Sequence, residues 1–288
     1  MSNTKNILVT GANGQLGTEL RQVENAFKAY RFLFTSREEL DITDNSSVEN
    51  YFTANQIDYC INCAAYTAVD KAEKEKEKAI KINVTAAANL AAVCKKFNAV
   101  FFHFSTDYVF DGTAKMPYKE TDAPVPVNFY GQTKLDGEKE AIKQNEHTII
   151  IRTSWVYSSH GNNFVKTMLR LMCEKESVAV VYDQYGSPTY AADLADAVMK
   201  IISAGKPAKG IYHYCNNGII SWYDFAAEIK KLINSKCKVN AINTAAYPTA
   251  AKRPQYSALD SKKIQEEYNL EIPGWKVSLE KCIKLFSL

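Results

Sequence analysis

An α/β fold, a doubly wound parallel sheet with a smaller C-terminal lobe beside it, is predicted for this chain by three observations. An apolar run, Ile7-Leu8-Val9-Thr10, breaks directly into glycines spaced three apart at Gly11, Gly14 and Gly17. Strand-like and helix-like periods then alternate up to about residue 156. Beyond it the pattern is less regular and is punctuated by Pro188, Pro207, Pro248, Pro254 and Pro273. In chain order, the apolar run predicts a buried strand at 6–10 and the glycines a tight turn into a helix at 15–27. Strands follow at 31–35, 58–63, 99–105 and 148–152, each a short apolar stretch bounded by turn residues. Helical periods fill most of the gaps, at 45–54, 78–97 and 130–144. The run DKAEKEKEK at 70–78 alternates in sign and leads into an alanine-rich stretch, so it reads as a solvated helix face. In the second part, helices are expected at 162–174, 190–203 and 221–234 and short strands near 178–182 and 211–214. Residues 1–156 thus form one domain and 157–288 mainly the smaller lobe, with an approximate boundary across which elements are free to interleave.

Composition narrows the class. With 46% hydrophobic and 23% charged residues, 288 residues suffice for one large α/β core and a lobe. A net charge of +3 carried on dispersed lysines gives no nucleic-acid footprint and no polybasic membrane patch. The N-terminus lacks a basic-then-apolar leader pattern, and no apolar run approaches the roughly 18 residues of a membrane span, so a cytoplasmic protein is expected. Seven cysteines without regular spacing are not a disulfide framework. Cys60 and Cys63 form a C-x-x-C on an apolar strand with no second pair near, and read as small buried residues.

The glycine turn is built to receive a dinucleotide. Gly11 allows the turn, Gly14 lets backbone N–H groups approach a pyrophosphate, and Gly17 lets the helix pack on the strand. After the second strand the sequence reads Phe34-Thr35-Ser36-Arg37, with no carboxylate there to accept from a ribose 2′-hydroxyl and an arginine able to neutralise a 2′-phosphate. NADPH is therefore the expected cofactor, with NADH tolerated. Tyr130 and Lys134 stand at i and i+4 on one helix face, where an ammonium favours ionisation of a phenol. The segment His103 to Gly112 ends a buried strand in hydroxyl and acid groups at the sheet's carboxyl edge, where a hydroxyl can bond a substrate carbonyl while the tyrosine donates its proton.

A glycine-rich loop, a strand-end Ser/Thr and Y-x-x-x-K together resemble the short-chain dehydrogenase/reductases, extended Rossmann-type enzymes. The motifs GANGQLG at 11–17, INCAAYTAVDKAE at 61–73, STDYVFDG at 105–112, YGQTKLDGE at 130–138, RTSWVY at 152–157, GSPTYAADLA at 186–195 and RPQYSALD at 253–260 are similar to those of the dTDP-4-dehydrorhamnose reductase family and span nearly the whole chain. That resemblance implies reduction of the 4-keto group of dTDP-4-dehydro-β-L-rhamnose to dTDP-β-L-rhamnose, a precursor of surface polysaccharide. It implies Tyr130 as proton donor, Lys134 as the residue that lowers the phenol's pKa and holds the nicotinamide ribose, and Thr106 on the same oxygen. It assigns Asp107 and Trp155 to the sugar pocket and Arg253 to the nucleotide diphosphate. On the cofactor side, it assigns Gly14, Gln15 and Leu16 to the pyrophosphate, with Gly11, Asn13 and Gly17 in the same cofactor-binding loop, Asp41 and Ile42 to the adenine region, and Ala64, Ala65 and Tyr66 to the ribose and nicotinamide. Asn83 matches an asparagine that supports the lysine through water in many relatives, its other reading being a buried polar group. Some relatives use Mg²⁺ at a dimer contact; Glu19 sits where one ligand would lie, but the remaining ligands are not identifiable, so no metal site is predicted and a homodimer is left open.

Two other readings compete. A 4,6-dehydratase or epimerase of the same fold shares the scaffold, but a dehydratase needs an acid pair after the threonine and here Asp107 is followed by Tyr108. A non-catalytic NADP-binding subunit, like the regulatory subunit of methionine adenosyltransferase, is the other; the intact Thr106, Tyr130 and Lys134 argue against it.

Overall fold

The computed structural model describes residues 4–205 and 207–286. Six parallel strands build the main sheet: β1 (Lys5–Thr10), β2 (Tyr30–Thr35), β3 (Ile57–Asn62), β4 (Val100–Thr106), β5 (Ile149–Thr153) and β6 (Gly210–His213), in the order β6-β5-β4-β3-β1-β2. Successive residues of β1 point to opposite faces, and both faces are buried. Ile7 and Val9 join Phe102, Ile149, Ile151 and Val198 in one core, whereas Leu8 joins Val48, Phe52, Leu90 and Phe101 in the other. Helices therefore cover both sides: α1 (Gln15–Val23) packs beside Ala191–Ser203 on one, and Asn45–Asn55, Ala86–Lys96 and Phe129–Gln144 lie on the other.

The first five strands fall within a residue or two of their expected positions. One difference follows from long-range packing. The helix expected over 78–97 is broken into Lys76–Ile80, a π-helical turn Lys81–Thr85 and Ala86–Lys96. The wider turn turns the Asn83 carboxamide inward, where it accepts from the Tyr66 N–H (2.8 Å) and donates to the Tyr66 carbonyl and the Thr133 hydroxyl (3.1 Å each). From the second part of the chain, β6 adds to β5 in parallel register, Ile211 opposite Ile150, and Ala191–Ser203 packs into the core of the N-terminal part. What remains as a lobe has its own core of Tyr157, Met168, Val178, Phe225 and Leu279, and a two-stranded parallel sheet, Ser177–Val181 with Lys238–Ile242.

Candidate active site

Strand order reverses between β1 and β3, so the carboxyl ends of these two strands open a crevice. Gly11 enters it with φ +64°, and a Cβ there would lie 2.6 Å from the Ala64 nitrogen at the end of β3. A Cβ at Gly17 would meet Ala12 Cα at the same distance, so both glycines permit the close approach of turn, strand and helix. Gly14 differs, since a Cβ there meets only the Gly11 carbonyl at 3.2 Å and its outer side is open. Gly14 caps α1, and the backbone N–H groups of Gln15 and Leu16 in the first turn have no helical acceptor, a fit for a pyrophosphate. A cleft of about 420 Å³ runs from this turn past Arg37, Asp41, Ile42, Ala64, Ala65 and Tyr66. Asp41 is held in place by accepting from the Thr43 N–H (2.9 Å) and hydroxyl (2.8 Å), which keep its carboxyl below the usual range. Arg37 touches Asp41 only loosely, at 3.9 Å, and its side chain is 72% exposed, free to turn toward an anion. Asn13 is exposed on the turn; the Leu16 side chain lies in the core, and the Gln15 carboxamide binds Asn163 (2.9 Å) and Val156 O (3.4 Å), which leaves the two residues' backbone amides as their contribution.

The candidate reacting groups stand at the end of β4. Asn128 caps the helix Phe129–Gln144 by accepting from the Gly131 N–H (2.8 Å), and the Glu73 carboxylate accepts from the Phe129 N–H (2.8 Å). A Cβ at Gly131 would lie 2.1 Å from the Tyr108 carbonyl, so glycine lets this helix end sit against the turn that carries Thr106 and Asp107. Tyr130 packs with Tyr66, Ala72 and Ala79 on one side and lies edge-on to Tyr108 on the other, centroids 5.9 Å apart. Burial holds its phenol above the ordinary value; the Thr106 hydroxyl opposes that rise and Asp107 adds to it. Lys134, expected to lower the phenol's pKa, does not figure in this balance. Its Nζ is turned to the Phe104 carbonyl (2.6 Å), and burial pushes the amine down to about 8, opposed by Glu138. Thr106 donates to Asp107 Oδ1 (3.0 Å) and accepts from the Tyr108 N–H (3.2 Å). Asp107 is 2% exposed and is pushed up to about 6 by burial.

A second cleft, also of about 420 Å³, is lined by Tyr108, Phe164, Met168, Trp222, Tyr247 and Arg253. Trp155, in left-handed backbone (φ +48°), stacks on Trp222 at 3.5 Å, and the Trp222 ring lines the cleft. Arg253 reaches the cleft but is held by Asp70 in a two-pronged ion pair (2.9 and 2.6 Å). The segment 70–78 is therefore not only a solvated face: Asp70 anchors Arg253 and Glu73 anchors the Tyr130 helix.

The family model described as RmlD substrate binding domain matches residues 5–288. A dTDP-4-dehydrorhamnose reductase of Aggregatibacter actinomycetemcomitans is 42% identical over 95% of this chain and 97% of its own length. The chain belongs to this family. The dTDP-4-dehydrorhamnose reductase of Escherichia coli K12 is likewise 42% identical, over 96% of this chain and 97% of its own. Among solved structures, the reductase of Bacillus anthracis in complex with NADP superimposes with a TM-score of 0.95 at 39% identity, covering 99% of this chain and all of the other. A dTDP-glucose 4,6-dehydratase from Streptomyces venezuelae, 15% identical with a TM-score of 0.82, shares the fold.

In this dTDP-4-dehydrorhamnose reductase family member, sequence reasoning missed Asp70, Glu73, Asn128, Phe164 and Trp222. The motif around 61–73 contains the two acids, but an alternating charge run carries no sign of a partner at residue 253. Glu19 is 1% exposed, accepts from the Ser158 hydroxyl (2.5 Å) and is pushed up by burial, so it faces the interior of its own chain. Among the described residues no group of three His, Cys, Asp or Glu side chains is arranged to hold a metal, and no helix is long and apolar enough to cross a membrane.

Proposed function

We propose that this reductase uses NADPH to reduce the 4-keto group of dTDP-4-dehydro-β-L-rhamnose, giving dTDP-β-L-rhamnose. The observation that carries this reading is that Tyr130 stands between the linings of two clefts: it packs against the cluster of Tyr66, which lines the glycine-loop cleft, and lies edge-on to Tyr108, which lines the cleft of Arg253 and Trp222. The first cleft, lined by the glycine turn, Asp41, Ala64 and Tyr66, would hold a reduced nicotinamide cofactor, which would supply the hydride for the ketone carbon. Tyr130 donates the proton to the ketone oxygen, and Thr106 hydrogen-bonds the same oxygen. Lys134, with an amine near 8, donates to the ribose in its charged form and restores the tyrosine's proton from a pKa close to the working pH. Arg253, pre-set by Asp70, meets the diphosphate, and the Trp222 and Phe164 rings form an apolar wall. The position of a dehydratase's second acid is held by Tyr108, whose buried phenol stays above its ordinary value.

Incubation with NADPH and a panel of 4-keto sugar nucleotides tests the proposal, with products identified by NMR. Stoichiometric oxidation with the dTDP-linked L-sugar is expected, and faster turnover of a UDP-linked or D-configured sugar overturns the sugar assignment. On the cofactor side, Arg37→Ala should lose NADPH use relative to NADH by about tenfold or more, as one charge-assisted contact of roughly 1.5–3 kcal/mol disappears. Equal losses in kcat/KM for both cofactors would remove Arg37 from phosphate recognition.

A further inference from the structure

Behind Lys134 runs a buried polar chain that the chemistry above does not use. Thr10 on β1, Asn62 on β3, His103 on β4 and Lys134 on the catalytic helix are each 2% exposed or less. One backbone amide decides the direction of every hydrogen bond in it. The Ala64 N–H donates to Asn62 Oδ1 (3.2 Å), and the Thr10 hydroxyl donates to the same oxygen (2.7 Å). Asn62 must therefore turn its amino group to His103, where Nδ1 lies 3.0 Å away. Since Nδ1 accepts, the proton of the neutral imidazole sits on Nε2, and Nε2 faces Lys134 Nζ at 3.5 Å. Protonating the ring offers no escape: Asn62 presents only a donor to Nδ1, and burial together with Lys134 keeps the imidazole well below its ordinary value.

We propose that His103 is a positioning residue for the reduction: it presents its Nε2–H to Lys134, holding the amine against the Phe104 carbonyl and disfavouring its protonation. An N–H aimed at Nζ suits the lone pair of a neutral amine and opposes the third N–H of an ammonium. The other charged or titratable groups around the amine act differently. Glu138 on the same helix favours the ammonium, although Arg152 from β5 already binds that carboxylate through two nitrogens. Tyr130 on the same helix and Asp107 beyond β4 are engaged with Thr106. His103 thus balances Glu138 and keeps the lysine able both to hold a ribose and to give up a proton. The proposal rests on the reading of Lys134 as catalytic, but its test does not depend on the sugar.

Heteronuclear NMR of the intact protein decides the tautomer with no substitution: a proton on Nε2 of His103 is expected, and one on Nδ1 overturns the proposal. Titration of the Lys134 side-chain resonance, assigned with Lys134→Met, is then compared among wild type, His103→Phe and Asn62→Leu. Phe keeps the ring and removes the facing N–H; Leu frees the imidazole to offer Nε2 as an acceptor. Each is expected to raise the pH of half-titration by about one, a tenfold gain in proton affinity, and to carry the alkaline limb of kcat/KM for NADPH with it. An unmoved or lowered Lys134 titration in either folded variant overturns the proposal. Failure to turn over the sugar, with Lys134 moving as expected, would instead count against the proposed substrate.

Discussion

Tyr130→Phe is expected to bind NADPH as the wild type does and to lose about 10²–10⁴ in kcat. The substitution removes one oxygen and keeps the ring, so the edge-on contact with Tyr108 and the packing on Tyr66 survive. What disappears is the donor to the ketone oxygen, while Thr106 remains to bond it. A residual rate has an identifiable source in Asp107, whose Oδ2 is buried with no hydrogen-bond partner and whose carboxyl is pushed up to about 6. As an acid it is protonated below that value, so the variant's remaining activity should fall as pH rises through about 6. Stopped-flow measurement of NADPH oxidation over a range of roughly pH 5–9 separates these terms. Turnover within a few-fold of wild type would place the acid elsewhere.

Glu138→Ala is expected to cost about 3–5 kcal/mol of stability. Glu138 and Arg152 are each 2% exposed and joined by two hydrogen bonds, from Nε (2.9 Å) and Nη2 (2.7 Å). Without the carboxylate, the guanidinium stays buried on β5 with only the Phe110 ring at 5.2 Å and a neutral His213 at 3.5 Å, the latter held down to about 3 by burial and by Arg152 itself. The guanidinium is only 2% exposed, and among the described residues no other carboxylate bonds it. Calorimetric melting should fall by roughly 10 °C, at about 2–4 °C per kcal/mol for a chain of this class. Replacing both partners, Glu138→Leu with Arg152→Met, should recover most of the loss because no unpaired charge remains. A single-variant loss under about 1 kcal/mol would mean that solvent reaches the pair.

The central strands were legible because each is a short, doubly buried apolar run whose signal is contained within itself. The glycine turn was legible for the same reason: Gly11, Gly14 and Gly17 answer three local steric demands within seven residues. The helix over 78–97 was read through its break, since a π-turn conserves the apolar spacing on either side and is set by Asn83 reaching Tyr66 and Thr133. Trp155, placed in the sugar pocket by resemblance, stacks on Trp222, a partner 67 positions along the chain that no local spacing announces.

Periodicity, turn chemistry and the Tyr130–Lys134 spacing by themselves determined a parallel sheet, a glycine turn suited to a dinucleotide and a candidate reacting pair at one strand end. Tertiary structure alone decided which side chains those groups would meet. Asp70 finds Arg253 across 183 positions of sequence, Glu138 finds Arg152 across 14, and Thr10, Asn62 and His103 line up behind Lys134 only because β1, β3 and β4 are neighbours in the sheet. A residue's period is imposed by its own backbone, whereas an ion pair or a polar chain depends on the order in which strands assemble. That order is selected by the burial of whole faces, and no spacing within one segment encodes it.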